Sequence, residues 1–184
     1  MDLAAWHDSV RSQEELRFQW VAEQATDTSC GYASVATLLD LYWDQDTSEA
    51  QLLALAPSAS GEGESVSLAS LKRALESSGF EARGYRMDYA HLSQVVPLHA
   101  PVLVHYDRPQ KHFALVLGVQ GTRVVTADPS RGLEVLDRQQ FEARWSGVAL
   151  FVANTLAVRQ QARVEAAVHS ALARAGLLEH EAAR

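Results

Sequence analysis

The sequence predicts an α+β fold in which helices come first and an antiparallel sheet follows. The first half of the chain carries apolar residues at helical spacing, interrupted by capping residues, glycine and proline. From Pro101 onward the apolar runs become short, β-branched and separated by turn residues at hairpin spacing. Helices and strands that are segregated along the chain in this way are typical of α+β domains.

The composition is that of a globular domain with one core. The chain has 184 residues, of which 47% are hydrophobic, with a net charge of −7 and a pI of about 5.4. Nucleic acid is therefore not an expected partner, and no apolar run reaches the roughly 18 residues that would span a bilayer. The single cysteine excludes an internal disulfide and the usual multi-cysteine zinc site. No metal or organic cofactor is expected.

The predicted organisation has three parts. An N-terminal arm covers 1–13, the main domain covers 14–154, and an amphipathic helical tail covers 155–184. The N-terminus lacks the basic region and apolar stretch of a signal peptide. Either the protein is cytoplasmic, or the sequence begins after a removed signal peptide with an added methionine.

The helices are predicted from capping residues at one end and helix breakers at the other. They cover residues 30–43, 48–56, 67–78, 88–96, 137–145 and 156–175. Five of the expected stops are Pro57, Gly79, Pro97, Gly147 and Gly176. Residues 9–20 are predicted as a short helix or as an arm that lies on the domain, and 58–65 as an exposed loop.

The strands are predicted from short β-branched runs. They cover residues 80–87, 102–106, 112–119, 123–127, 133–136 and 148–152. Turn residues at 107–111, 120–121 and 128–132 separate the middle strands, as expected for antiparallel neighbours.

The tail helix over 156–175 has an alanine-rich apolar face that would bury little area per residue. Two kinds of role are open for this helix. In one, it belongs to its own domain, either packed on it or as a ragged C-terminal helix; in the other, it docks a partner.

Cys30 lies at a boundary between polar and apolar sequence. Residues 26–29 are of the types that cap helices, and apolar residues recur after Cys30 at near-helical spacing, so that Cys30 should lie at a helix N-terminus. There the helix dipole and the unpaired N–H groups favour the thiolate and can bind an oxyanion on an attacked carbonyl. The alternative is a small buried hydrophobic residue, which is the usual role of an isolated cysteine.

A cysteine nucleophile needs a base and a third group that orients the base. Of the seven histidines, His105 and His112 lie on adjacent predicted strands. His112 is favoured because it opens the most apolar strand just after a polar turn, although a histidine at a strand start is more often structural or exposed. Asp128 ends the next strand, and an antiparallel hairpin brings it alongside His112. The same Asp128-Pro129 pair is also typical of a turn.

The order Cys, His, Asp, with Gln24 six residues before the cysteine, is the papain-like order. Three segments then resemble the C39 peptidases, and the resemblance covers about residues 14–153. The segments are Gln24–Leu39, Lys111–Val119 and Ala127–Phe151.

The resemblance to C39 peptidases implies a papain-like cysteine peptidase fold, in which N-terminal helices carry the nucleophile and pack on an antiparallel sheet. It also implies a role for each matching residue. Cys30 is the nucleophile and His112 the general base and then acid. Asp128 is the orienting carboxylate, and Gln24 supplies the second oxyanion donor.

C39 peptidases of bacteriocin exporters cleave leader peptides after a double-glycine motif and continue into transmembrane helices and an ATPase, whereas this sequence stops. It is similar to the stand-alone C39-like proteins encoded with bacterial functional-amyloid secretion systems. The similarity extends to the N-terminal segment Val10-Arg-Ser-Gln-Glu-Glu-Leu-Arg. Those proteins are usually exported, so that a periplasmic location is expected here, with a cytoplasmic one as the alternative.

The implied function is a cysteine peptidase that cleaves a secreted protein or leader peptide after small residues of double-glycine type, in support of secretion that includes functional amyloid. One alternative is a non-proteolytic module that binds leaders or substrates. Its tail helix would dock a membrane-embedded secretion component, but retention of all four site residues argues against binding alone. A third reading, an acyl or amide transferase of transglutaminase type, needs an amine acceptor that nothing in the sequence indicates.

Overall fold

The chain forms the expected α+β domain, with one six-stranded antiparallel sheet and helices packed on it. The computed structural model describes residues 12–26, 28–55 and 66–182, and side chains as far as residue 176. The predicted stop at Pro57, the loop over 58–65 and most of the predicted arm lie outside the described residues.

The helices begin where capping residues predict them. They are α1 Gln13–Phe18, α2 Cys30–Trp43, α3 Glu49–Leu55, α4 Leu68–Ser77, α5 Tyr89–His99, α6 Arg138–Arg144 and α7 Gln161–Ala182. Reciprocal capping boxes open α1, α4 and α6, and Asp88 caps α5 by accepting a hydrogen bond from the N–H of His91. The predicted helix starts between residues 30 and 138 are thus confirmed to within a residue.

The strands pair in the order β1-β6-β2-β3-β4-β5, all antiparallel. They are β1 Glu81–Arg86, β2 Val102–Tyr106, β3 His112–Gln120, β4 Arg123–Asp128, β5 Gly132–Asp137 and β6 Trp145–Ala153. Strands β2 to β5 form a meander of consecutive hairpins, and β6 returns to lie between β1 and β2. This topology places β3 beside β4, so that the start of β3 at His112 lies next to the end of β4 at Asp128.

Two predicted helix ends, at Pro97 and Gly176, are wrong, and Gly147 is not the residue that stops α6. Pro97 lies inside α5, because a proline in the last turn removes only one N–H and Ala100 N still donates to Val96 O at 2.8 Å. Gly147, with a φ of 79°, lies in an irregular stretch of β6 where the register with β2 shifts, so the strand begins at Trp145. Gly176 lies inside α7, which runs over 161–182, since one helical glycine costs only about 1 kcal/mol relative to alanine.

Helix α2 is the centre of the core, and twelve of its fourteen residues are buried. It packs against β3 on one side and against α3, α4 and α7 on the others. Such an enclosed helix needs small residues where its neighbours approach closely. A Cβ atom on Gly31 would lie 2.8 Å from a methyl of Val66 and 2.9 Å from one of Leu71.

The tail helix α7 packs on its own domain. Val164, Ala167 and Ala171 are buried, and a Cβ atom on Gly118 of β3 would lie 2.9 Å from a methyl of Val168. Within the described residues, no helix combines the length and the apolar character needed to cross a bilayer.

We expect Gly132→Ala to destabilise the protein more than Gly79→Ala. Both glycines have a φ near +80°, where alanine costs about 1–2 kcal/mol. Only Gly132 has a close neighbour, because its added Cβ would lie 2.7 Å from the carbonyl oxygen of Arg17. This overlap should add roughly 1–3 kcal/mol. Urea unfolding of the two variants measures the difference, and equal losses would contradict the close approach of α1 to this turn.

Candidate active site

Cys30 is the first residue of α2, as predicted, and is 6% exposed. The preceding Ser29 does not cap the helix with its side chain. Its hydroxyl instead accepts from the N–H of Thr26 at 3.1 Å and donates to the Thr26 carbonyl at 2.9 Å. Ser29 thus leaves the first amide groups of α2 uncapped, and within the described residues no other side chain is seen to cap them, so they can bind an anion at Cys30.

A buried hydrogen bond sets the position of α2 against β3. Ser34, one turn after Cys30, donates its hydroxyl to the carbonyl of Phe113 at 3.2 Å. Phe113 follows His112 directly on β3, so this contact brings the start of the helix to the start of the strand. Cys30 and His112 therefore line the same cleft, close enough for Cys30 to help raise the pKa of the imidazole.

His112 and Asp128 form a buried pair, with His112 Nε2 2.8 Å from Asp128 Oδ1. The two side chains are 12% and 2% exposed. Asp128 Oδ1 also accepts from the N–H of Ser130 at 2.8 Å and from its hydroxyl at 2.7 Å. Asp128 is therefore both the first residue of a turn and the partner of His112, and Nδ1 is the ring nitrogen that this pairing leaves for Cys30.

A bulge in β3 makes this pairing geometrically feasible. Near the hairpin turn Gln120 pairs with Arg123, but the register shifts between Val116 and Gly118 so that Leu115 pairs with Ala127. Without the extra residue, alternation along the strands would put His112 and Asp128 on opposite faces of the sheet. The bulge restores them to one face, as diagonal neighbours.

The charges of the site support one another. Burial would lower the pKa of His112, but its hydrogen bonds to Asp128 and Cys30 and the negative charges of these groups outweigh burial and raise the pKa from 6.5 to about 9. Burial would raise the pKa of Asp128, yet hydrogen bonds from His112 and Ser130 hold it below its ordinary value. At neutral pH the imidazole is thus protonated and the carboxylate is ionised.

Gln24 lies on the wall of the cleft beside Cys30. Its backbone N–H donates to the carbonyl of Pro129 at 2.9 Å, which ties it to the Asp128 turn. Its side-chain Nε2 donates to the carbonyl of Thr26 at 3.0 Å. A primary amide has two N–H donors, so one remains for a ligand in the cleft.

His105, the other histidine considered, is not among the described residues that line the cleft of Cys30. Its Nδ1 is 3.1 Å from the hydroxyl of Ser146, and burial lowers its pKa. Of the two candidates, only His112 both lines this cleft and pairs with Asp128.

Sequence reasoning missed two residues that support the site. Ser130 holds Asp128, and its signal was the Asp-Pro-Ser turn itself, since a serine two residues after an aspartate can donate back to it. Tyr106, the register partner of His112 on β2, stacks on the imidazole with ring centroids 6.2 Å apart and an interplanar angle of 24°. Its place was readable only once the β2–β3 register was known.

The cleft above Cys30 has a volume of about 370 Å³. Its described lining residues are Gln24, Thr28, Cys30, Val66, Gln110, Lys111, His112, Phe113 and Ser130. This lining contains no carboxylate, and in the part of the chain that the structure describes no group of three or more His, Cys, Asp or Glu residues is placed to hold a metal ion. The lining does bring together a thiol, an imidazole and two side-chain amides.

The sequence profile described as the Peptidase C39 family matches residues 18–157, more than half of the chain. The chain belongs to the peptidase C39 family. The predicted resemblance is therefore confirmed.

Two curated relatives share the name "Probable functional amyloid protease FapD". The protein from Pseudomonas aeruginosa is 34% identical over 151 residues, which cover 79% of this chain and 66% of the relative. The protein from Pseudomonas fluorescens is 35% identical over 148 residues, which cover 78% and 64%. The matched part of the chain thus spans slightly less than two thirds of these relatives. A lactococcin-G-processing and transport ATP-binding protein of Lactococcus lactis is 28% identical over 70% of this chain and only 18% of its own length.

Solved structures share the fold. The peptidase domain of Streptococcus ComA, a bifunctional ABC transporter, superposes with a TM-score of 0.65 at 24% identity, over 73% of this chain and 98% of that domain. A double-glycine motif protease from an AMS/PCAT transporter, solved in complex with a leader peptide, gives 0.59 at 21% identity over 73% and 91%. The papain-like α+β fold is therefore confirmed.

We expect the stability of a Cys30→Ala variant of this peptidase, which has no thiol that ionises in the same range, to fall as the pH rises from 6.5 towards 9, because pairing with Asp128 raises the pKa of His112 above its ordinary 6.5. A raised pKa stabilises the folded state fully below the unfolded value, and the contribution is lost as the pH rises through the folded value. The free energy of unfolding should drop by at most about 3.5 kcal/mol, since the pKa of His112 in the wild type is raised from 6.5 to about 9 and one pKa unit is about 1.4 kcal/mol.

Urea unfolding at a series of pH values checks this dependence. Asp128→Asn, added to Cys30→Ala, removes the negative partner of His112 and should flatten the slope. His169→Gln, which changes an exposed histidine of α7, should keep the slope of Cys30→Ala when added to it. An unchanged slope in Cys30→Ala/Asp128→Asn would contradict the pairing.

Proposed function

We propose that the chain is a cysteine peptidase with Cys30 as nucleophile, His112 as general acid and base, and Asp128 as the carboxylate that orients His112. The observation that carries this proposal is that His112 pairs with the buried Asp128 and lines the same cleft as Cys30, which helps to raise the pKa of the imidazole. This is the nucleophile, base and orienting group arrangement of acyl transfer. Tyr106 and Ser130 hold the second and third members in place.

The reaction follows from these contacts. The thiolate of Cys30, paired with protonated His112, attacks the scissile carbonyl carbon and forms the C–S bond of a tetrahedral intermediate. His112 then gives its proton to the leaving amine nitrogen, the C–N bond breaks, and a thioester remains. Neutral His112 next takes a proton from water as the water oxygen attacks the thioester. The C–S bond breaks, the carboxylic acid product leaves, and the thiolate of Cys30 is regenerated beside protonated His112.

The oxyanion of both tetrahedral intermediates would be held by two donors. One is the backbone N–H of Cys30 at the uncapped start of α2, and the other is the free N–H of the Gln24 side-chain amide. The hydrogen bond from Gln24 Nε2 to the Thr26 carbonyl supports this role, because it holds the amide in one orientation. Preorganised donors of this kind stabilise charge that develops only during the reaction.

We infer that the substrate is a secreted protein or a leader peptide that is cut after small residues of double-glycine type. The support is indirect and comes from the relatives: the names of two refer to functional amyloid, and a protease of the same fold is named for the double-glycine motif. A cleft of about 370 Å³ between Val66 and Phe113 agrees with small residues at the scissile bond. The periplasm is the compartment that we propose.

The rate of Cys30 alkylation by iodoacetamide tests the proposed pair without a substrate. At about pH 6, where an ordinary thiol with a pKa of about 8.5 is almost wholly protonated, wild-type Cys30 should react and His112→Ala should not. His91→Ala, which removes an exposed histidine, serves as the control and should react like the wild type. If Cys30 is equally slow in all three proteins, the peptidase proposal fails and the chain is better described as a binding module.

Peptide cleavage tests the specificity and the role of Gln24. A synthetic peptide with Gly-Gly before the scissile bond should be cut, and the same peptide with Leu-Leu should not. Gln24→Ala should lower kcat by roughly a hundredfold or more with little change in KM, because an oxyanion donor acts in the transition state. Gln110→Ala, which also changes an amide in the cleft lining, should cleave at the wild-type rate. Equal losses in the two variants would contradict an oxyanion role for Gln24.

A further inference from the structure

Three arginines in and just before α7 make the same kind of contact. Each donates a hydrogen bond from Nη1 to a main-chain carbonyl in the last turn of another helix. The contacts are Arg159 to Leu98 of α5 at 2.9 Å, Arg163 to Leu41 of α2 at 3.0 Å, and Arg174 to Leu16 of α1 at 2.8 Å. Carbonyls in the last turn of a helix lack intrahelical donors and carry the negative end of the helix dipole, so a guanidinium is a suitable partner.

Arg163 reaches the helix that carries Cys30. Besides the Leu41 carbonyl, its guanidinium contacts the carboxylate of Asp44 at 3.1 Å, directly after the end of α2. The N–H of Gln160 donates to the carbonyl of Tyr42 at 2.8 Å beside it. The C-terminal end of α2 is thus held by α7, while Cys30 lies at the opposite end of the same rigid helix.

Arg174 reaches the turn that carries Asp128. It holds the Leu16 carbonyl of α1, and the next residue, Arg17, donates from Nε to the carbonyl of Arg131 at 2.9 Å and also from Nη2. The backbone of Arg17 lies so close to Gly132 that a Cβ atom there would overlap it. Helix α1 is therefore packed between α7 and the turn that begins at Asp128.

We propose that Arg163 and Arg174, here called the arginine clasp, are positioning residues that hold the Cys30 helix and the Asp128 turn in register across α7. This inference rests on the proposed function. The clasp lies beyond residues 18–157, the segment that the family profile matches. The helix between the two arginines also packs on β3, the strand of His112, through Val168. All three members of the site are therefore supported from one helix.

The structure offers a matched control. Arg159 makes the same kind of hydrogen bond to a helix end, but the helix that it contacts, α5, carries no residue of the site. If the clasp only stabilised the fold, Arg159→Ala and the clasp variants would have the same effect on the reactivity of Cys30. A positioning role changes the chemistry at Cys30 only in the clasp variants.

The experiment measures the pH profile of Cys30 alkylation in full-length wild type, Arg159→Ala and the double variant Arg163→Ala/Arg174→Ala, at a temperature where circular dichroism shows each to be folded. The double variant should alkylate about ten- to a hundredfold more slowly than wild type near neutral pH, since small misplacements cost this much. At about pH 10, where an ordinary thiol ionises unaided, the rates should converge. Arg159→Ala should keep the wild-type profile. Two single variants are then compared. Arg163→Lys, which retains a donor and the charge that faces Asp44, should react with iodoacetamide at a rate closer to that of the wild type than Arg163→Ala does.

Two outcomes overturn the clasp. One is a folded double variant with the wild-type profile, and the other is an Arg159→Ala profile that changes as much as that of the double variant. Failure of the proposed function gives a different result. Wild type and His112→Ala would then be alkylated at the same rate, and the arginine variants would show the pH profile of an ordinary thiol, as the wild type does.

Discussion

The packing of the buried helix α2 against strand β3 is the contact on which the rest of this domain depends. Twelve of its fourteen residues are buried, so the helix cannot move without opening the core. Its hydrogen bond from Ser34 to the Phe113 carbonyl joins it to the strand beside His112. Such a hydrogen bond contributes about 1 kcal/mol net, whereas a buried carbonyl left unpaired costs about 1–3 kcal/mol. The position of α2 that pairs Ser34 with the Phe113 carbonyl is therefore favoured over positions that do not.

The electrostatics of the site follow from that placement. A buried carboxylate is costly unless it is paired and hydrogen-bonded, and Asp128 accepts from His112 and twice from Ser130. The imidazole in turn lies between a carboxylate and a thiol, so its proton is retained up to a pKa of about 9. Stability and reactivity therefore depend on the same proton, which links folding of the domain to the charge state of Cys30's partner.

Much of the fold was predictable because its signals are local. Caps at Ser67, Asp88 and Asp137 predicted helix starts, and short β-branched runs predicted all six strands to within a few residues. The incorrect stops were Pro97, Gly147 and Gly176, where a breaker residue is accommodated by its neighbours. A helix or strand end is decided by what packs beyond it, and that information is not contained in the breaker itself.

The site divides in the same way. Local sequence placed Cys30 at a helix N-terminus and His112 at a strand start, because capping and strand patterns act within a few residues. It could not supply the bulge in β3, without which Asp128 would face the other side of the sheet. Nor could it show that α7 lies on β3 and that Arg163 and Arg174 reach two other helix ends. Register shifts and side-chain contacts across more than a hundred residues depend on the packed core, so only the tertiary structure settles them.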